Sequence, residues 1–95
     1  LGEEEWRRRQ KEYNLKKYGL SLDEFEEMLV KQNNRCAICN GPPRGKKGFQ
    51  VDHDHTTGEV RGLLCYLCNH AMAAVDQIDN WCEKAAEYSA ETEEI

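Results

Sequence analysis

Apolar and polar positions follow several different rhythms along this chain. Residues 3–18 are largely charged, with Trp6, Tyr13, Leu15 and Tyr18 as spaced anchors, and they predict a helix. Tyr18-Gly19 ends it, because glycine readily takes the left-handed conformation found just past a helix C-terminus. Ser21-Leu22-Asp23-Glu24 then reads as a capping box: the Ser21 hydroxyl caps the early N–H groups while Glu24 reaches back. Leu22, Phe25, Met28 and Leu29 continue at helical spacing to about residue 33, a stripe that reads as core, and Asn33-Asn34 stops it.

The rhythm then changes. Gly41-Pro42-Pro43 and Gly45 mark a loop. Phe49-Gln50-Val51 alternates like a short strand, Thr56-Thr57-Gly58-Glu59 is a turn, and Val60-Arg61-Gly62-Leu63-Leu64 is a return strand, predicting an antiparallel hairpin. Ala71, Met72, Val75, Ile78, Cys82 and Ala85 recur every three or four residues and predict an amphipathic helix over roughly 69–88, with Asp79-Asn80 as a point of interruption. Its apolar face suits either a second copy of the chain or packing on the N-terminal helices. Cys82 on that face reads as a small buried hydrophobe, and Trp6 and Trp81 as core or interface anchors. The predicted organisation is an N-terminal helical segment (1–34), a core of hairpin and last helix (35–90), and a frayed acidic tail (91–95).

Composition sharpens this picture. Ninety-five residues, 33% of them charged, supply only a thin core, and a chain of this size commonly needs a metal, a disulfide or a partner. Cys36-Ala-Ile-Cys39 and Cys65-Tyr-Leu-Cys68 form two CxxC pairs, with Cys82 apart. Two disulfides in a secreted mini-protein would leave an odd cysteine and require an apolar leader that is not seen, so the pairs read as one four-thiolate zinc site in a reducing, cytoplasmic setting. Zinc closed by four thiolates keeps no open position and is therefore structural. No apolar run approaches the ~20 residues that cross a bilayer. The absence of an initiating methionine suggests a trimmed chain, and flanking sequence is left open.

The net charge of −5 is unevenly spread. Residues 1–20 hold six Lys/Arg against four Glu, and residues 35–70 hold five Lys/Arg against three acids. Residues 21–34 have four acids against one lysine, and residues 71–95 seven acids against one lysine. The acidity is thus kept away from the hairpin, and phosphate binding depends on such local pattern more than on the total. The Arg7-Arg8-Arg9 run reads equally as a DNA-facing strip or a solvated helix face.

The chemistry concentrates in Asp52-His53-Asp54-His55 and in Asn69, directly after the second CxxC. Carboxylate and amide oxygens suit Mg²⁺, Mn²⁺ or Ca²⁺, and an imidazole, ordinarily titrating near pH ~6.5, can take a proton from water. Strict strand alternation puts Asp52 and Asp54 on one face and His53 and His55 on the other. Asp52 and His53 therefore share a centre only if the backbone leaves extended geometry near His53. The same alternation suggests that Asp54 is a structural hydrogen-bond acceptor.

Tyr18-Gly19-Leu20-Ser21, Cys36-Ala-Ile-Cys39, Val51-Asp52-His53-Asp54-His55, Thr57-Gly58-Glu59-Val60-Arg61-Gly62-Leu63-Leu64-Cys65 and Cys68-Asn69 together resemble the recombination endonuclease VII family, a branch of the HNH nucleases, from about Tyr13 to Met72. The resemblance implies a small α+β fold: a ββα-metal (HNH, His-Me finger) core with a four-cysteine zinc site and two N-terminal helices. It implies a DNA endonuclease leaving 5′-phosphate and 3′-hydroxyl ends. Asp52 and Asn69 would be ligands of a catalytic Mg²⁺ or Mn²⁺, His53 the general base, and His55 the residue that holds the scissile phosphate. Arg61 would contact phosphate or buttress the hairpin, and Arg44, Lys46, Lys47 and His70 are further DNA-facing candidates. Family members often continue the asparagine with Arg and a Leu-Gly pair, where this chain has His70-Ala71-Met72-Ala73. That departure leaves His70 between a phosphate contact and a solvated residue, and suggests a longer uninterrupted last helix. The implied partners are duplex or branched DNA and, for junctions, a second copy of the chain; the implied source is phage or prophage. A silent zinc-ribbon nucleic-acid-binding module is the alternative, but it has no use for a hard-metal set. A redox protein would use its CxxC pairs without that tetrapeptide.

Overall fold

The computed structural model describes residues 2–46 and 48–94, with side chains through Glu91. The element order is α1 (Glu3–Lys16), α2 (Leu22–Lys31), β1 (Gln50–His53), β2 (Val60–Leu64), α3 (Tyr66–Gln77) and α4 (Trp81–Glu94). The molecule is a small α+β protein with one two-stranded antiparallel sheet among the described residues. No helix of the described residues is long and apolar enough to cross a membrane.

The N-terminal elements form for the reasons the pattern gives. Gly19 takes φ 72° after α1, and the Leu20 N–H returns to the Leu15 carbonyl at 3.2 Å. The capping box of α2 is complete: Ser21 Oγ accepts from the Glu24 N–H (3.1 Å) and Glu24 Oε1 accepts from the Ser21 N–H (3.0 Å). In α1, however, Leu15 alone is buried. Trp6 and Tyr13 are 65% and 72% exposed, so neither anchors the core, and of the two readings of Trp6 only the interface one is left. The helix is polar nearly all round and is laced by ion pairs four residues apart, Arg7–Glu3, Arg8–Glu12 and Arg9–Glu5.

Strand alternation divides the interior in two. Leu63 joins Leu15, Phe25 and Val51 beneath α1 and α2, while Leu64 turns to the other side with Cys36 and Cys65. Phe49 packs against both groups. The sheet has only two strands, and Gln32 closes part of its open edge. Its side-chain amide pairs with both the N–H (3.0 Å) and the carbonyl (2.9 Å) of Leu63, as a third strand would.

The last helix departs from the expected single run. Cys65 is the N-cap of α3, so the helix starts at Tyr66, before the residue 69 indicated by apolar periodicity. It ends at Gln77; Ile78 is extended and Asn80 takes φ 60°, so the Asp79-Asn80 break is realised and the uninterrupted helix is not. Asparagine tolerates this left-handed turn better than most residues. Among the described elements α4 packs only against α3, and neither helix packs on α1 or α2. Cys82 is consequently exposed, correcting its expected burial. The backbone stays helical through Glu94, where the acidic tail is expected to fray, and Ile95 lies outside the described residues.

Candidate active site and metal centre

The two CxxC segments meet because the hairpin carries the second back onto the first. Cys36 N–H donates to the Gly41 carbonyl (2.9 Å) and Asn40 N–H to the Cys36 carbonyl (3.0 Å), folding the first pair into a tight knuckle. The Ala37 N–H reaches the Leu63 carbonyl (3.1 Å), tying that knuckle to β2. The sulfurs of Cys36, Cys39, Cys65 and Cys68 all lie within 4.8 Å of one another. A tetrahedral zinc with ~2.3 Å bonds to sulfur places its ligands about 3.8 Å apart, and Cys39 and Cys65 sulfurs are 3.8 Å apart.

The charge state of the cluster points the same way. Burial pushes the Cys36 thiol up, but N–H groups of Cys65, Cys39 and Ile38 outweigh it and draw the thiol down to about 6. Burial and the neighbouring sulfurs of Cys65 and Cys36 push Cys68 up to about 12. Sulfurs this close cannot all be thiolates without a cation between them, so the donor set fits one structural zinc. The neighbouring Cys39 and Cys65 sulfurs hold the Arg44 guanidinium more firmly in its charged form. The guanidinium thus offsets thiolate charge at the cluster.

A second centre lies at the end of β1. The strands pair Val51 with Leu63 and Asp52 with Gly62, but His53 pairs with Val60, so a bulge at Arg61 interrupts the ladder. Beyond it Asp54 builds the turn: its Oδ1 accepts from the N–H groups of Thr56 (2.7 Å) and Thr57 (2.9 Å). Those bonds, Thr57 first, hold its carboxyl below the usual range. Extended geometry therefore ends at His53, and Asp52, His53, His55, Asn69 and His70 line one cleft of ≈ 240 Å³ with Tyr18. The His53 and His55 rings are 5.1 Å apart, and His53 is 5.2 Å from the Tyr18 ring. Asn69 Nδ2 donates to Gln50 Oε1 (2.7 Å), orienting its amide.

Arg61, which does not itself line the cleft, links two carboxylates beside it. Asp52, 6% exposed, accepts from Arg61 Nε (2.8 Å) and Nη2 (3.0 Å). The same guanidinium donates to Asp76 on α3, at 3.2 Å from Nη1 and 2.8 Å from Nη2. Asp76 Oδ2 lies 3.0 Å from His55 Nδ1. Arg61 and then His55 hold the Asp76 carboxyl down to about 2. An ionised carboxylate only accepts, so His55 carries its proton on Nδ1 and leaves Nε2 as the other ring nitrogen. The Asp52 carboxylate has about four acceptor positions, of which Arg61 uses two, so Asp52 and Asn69 still fit a hard cation.

Asp76 is the residue that sequence reading misses. It sits in the acidic C-terminal segment, 15 positions from Arg61, and only the direction of α3 brings the two together. Of the other DNA-facing candidates, His70 is exposed at the cleft edge with its ring 4.3 Å from that of Tyr66 and tilted 58° to it, and Lys46 is exposed on the connecting loop. Lys47 lies outside the described residues.

These features define a small α+β protein stapled by a four-cysteine centre, with a separate cleft of aspartate, histidine and asparagine. The chain belongs to the recombination endonuclease VII family, whose profile matches residues 8–91. It is 50% identical over 52 residues to the Gene 59 protein of Mycobacterium phage L5 and 46% identical over 52 residues to that of Mycobacterium phage D29. Each match covers 55% of this chain and 32% of the relative, so the matched region spans about a third of those proteins. No solved structure matches the chain.

Proposed function

We propose that this chain is a divalent-metal-dependent DNA endonuclease of the HNH type, in which β1, β2 and α3 act as the ββα-metal unit. The observation that carries the reading is the convergence of Asp52, His53, His55 and Asn69 on one cleft beside the four-cysteine centre. Membership of an endonuclease family supports it. Asp52 and Asn69 would hold Mg²⁺ or Mn²⁺, which when bound supplies positive charge to the phosphate and the leaving oxygen. His53 takes the proton of the attacking water, and cleavage leaves 5′-phosphate and 3′-hydroxyl ends. His55, held at Nδ1 by Asp76, would donate from Nε2–H to the scissile phosphate as an imidazolium, protonated on both ring nitrogens. Arg61 holds Asp52 in place. The zinc would keep Asn69 in register with the hairpin, since Cys68 precedes it directly.

The substrate class is duplex or branched DNA. Resolving a four-way junction takes two nicks, and a homodimer supplies two clefts; the apolar residues Val75 and Ile78, exposed on α3 and just past it, suit that contact. The phage relatives support a phage-encoded protein acting in the bacterial cytoplasm. Supercoiled plasmid and a synthetic four-way junction, incubated with purified protein and Mg²⁺, Mn²⁺ or EDTA, test the reading. Nicking that requires the divalent ion is the expected result. Absence of cleavage of both substrates with either metal overturns it and leaves a zinc-stapled binding module.

A further inference from the structure

A groove of ≈ 640 Å³ runs between α1 and the hairpin, lined on its helical side by Trp6, Arg7, Gln10, Lys11, Asn14 and Lys17. Tyr18, Val51 and Asn69 line both this groove and the catalytic cleft, so the two are continuous. In a chain of net charge −5, the groove holds three cationic side chains, Arg7, Lys11 and Lys17, and no aspartate or glutamate among its described lining residues. The arginine run divides accordingly. Arg8 and Arg9 are tied to Glu12 and Glu5 at 3.4 and 3.3 Å and do not line the groove. Arg7 does line it, while also forming the longest of the three ion pairs, with Glu3 at 3.8 Å.

We infer that this groove is a second DNA-binding surface, carrying the sugar-phosphate backbone of the strand that continues away from the cleft. The inference rests on the nuclease reading and extends it to the N-terminal helix. From residue 7 to residue 17 a helical path covers about 15 Å, which, laid along the duplex axis, spans roughly four phosphates of one strand at an axial rise of ~3.4 Å each. Gln10 and Asn14 lie between the cations and offer neutral hydrogen-bond donors to the same backbone. Lys11 and Lys17 already hold defined positions, with their ammonium groups 4.1 Å from the Phe25 ring centre and 5.2 Å from that of Tyr18. Backbone contacts of this kind fix register and supply salt-dependent affinity without reading sequence.

The test is the salt dependence of binding of a fluorescent duplex, measured by anisotropy with Ca²⁺ in place of Mg²⁺. Wild type is compared with Arg7→Gln/Lys11→Gln/Lys17→Gln and with the control Arg8→Gln/Arg9→Gln. Each lost phosphate contact lowers the slope of log K against log salt by about 0.9. The triple variant is therefore expected to lose about 2.7 from the slope, and the control nothing. Circular dichroism and zinc content report folding. If the triple variant does not fold, Arg7→Gln alone carries the test, since its side chain is 76% exposed, and its expected loss is about 0.9. A variant that binds with the wild-type slope overturns the groove while leaving the nuclease reading intact. A wild type that neither binds nor nicks DNA overturns the nuclease reading itself.

Discussion

Arg61 grips two carboxylates at once, Asp52 beneath the cleft and Asp76 on α3, and Asp76 in turn grips His55. Each bond constrains the next, so under the proposed function Asp76 positions the histidine that would meet the phosphate. Asp76→Asn keeps the size but removes the charge that holds His55 at Nδ1. Its nicking rate is expected to fall by at least tenfold, with a shifted pH–rate profile, while zinc content stays at the wild-type value. An unchanged profile would assign Asp76 to structure alone. The same pair gives stability a defined pH window. The folded-state carboxyl is depressed to about 2, against an ordinary value near ~3.9. Its stabilisation is therefore present above pH ~4 and is lost as pH falls toward 2. The difference in melting temperature between wild type and Asp76→Asn is expected to narrow across that window. The sequence made Arg61 legible as a hairpin buttress and His55 as a phosphate residue, but not the acid that joins them. Asp52, His53 and Asn69 stand in a recognisable motif, whereas Asp76 is one of seven acids in residues 71–95 to which the pattern gives no role.

At the scale of elements, local features were legible and those that depend on distant packing were not. Ser21 and Glu24 cap α2 within three residues of each other, and Gly19 ends α1 within one turn. The bulge at Arg61 is different, because it arises from how two strands pair across the turn that Asp54 builds. Cys65 illustrates a further limit: one residue is zinc-type ligand, helix cap and buried core, and apolar periodicity registers only the helix C-terminal to it. The closing of the β2 edge by Gln32 was equally hidden, since its partner Leu63 lies 31 residues away. Gln32→Ala leaves the Leu63 N–H and carbonyl without that partner, and a loss of about 1–3 kcal/mol is expected in urea unfolding. A loss below the error of the measurement would mean that water replaces the amide without cost.

At the scale of the whole molecule there is little apolar interior: the described residues form two small groups of buried side chains joined through Phe49. One of those groups contains two of the four clustered cysteines. Structural zinc sites commonly contribute ~10 kcal/mol or more in apparent binding, which exceeds the stability so thin a core can supply alone. Removing the metal with a strong chelator, or replacing Cys36 with serine, is expected to abolish cooperative unfolding and collapse the helical circular dichroism. Retention of a sharp melting transition in the metal-free chain would show that the core suffices. On the proposed function the zinc and the cleft do separate work, one holding Asn69 against the hairpin and the other cutting DNA. That division is tested most directly by single-turnover nicking of a labelled duplex in Mg²⁺ by zinc-loaded wild type, His53→Ala and Asn69→Ala. Loss of a general base typically costs about 10²–10⁴ in rate. His53→Ala is expected to fall in that range with its zinc and fold intact, and Asn69→Ala to require more Mg²⁺. Cleavage by His53→Ala at the wild-type rate would contradict the assignment of the cleft as the catalytic centre.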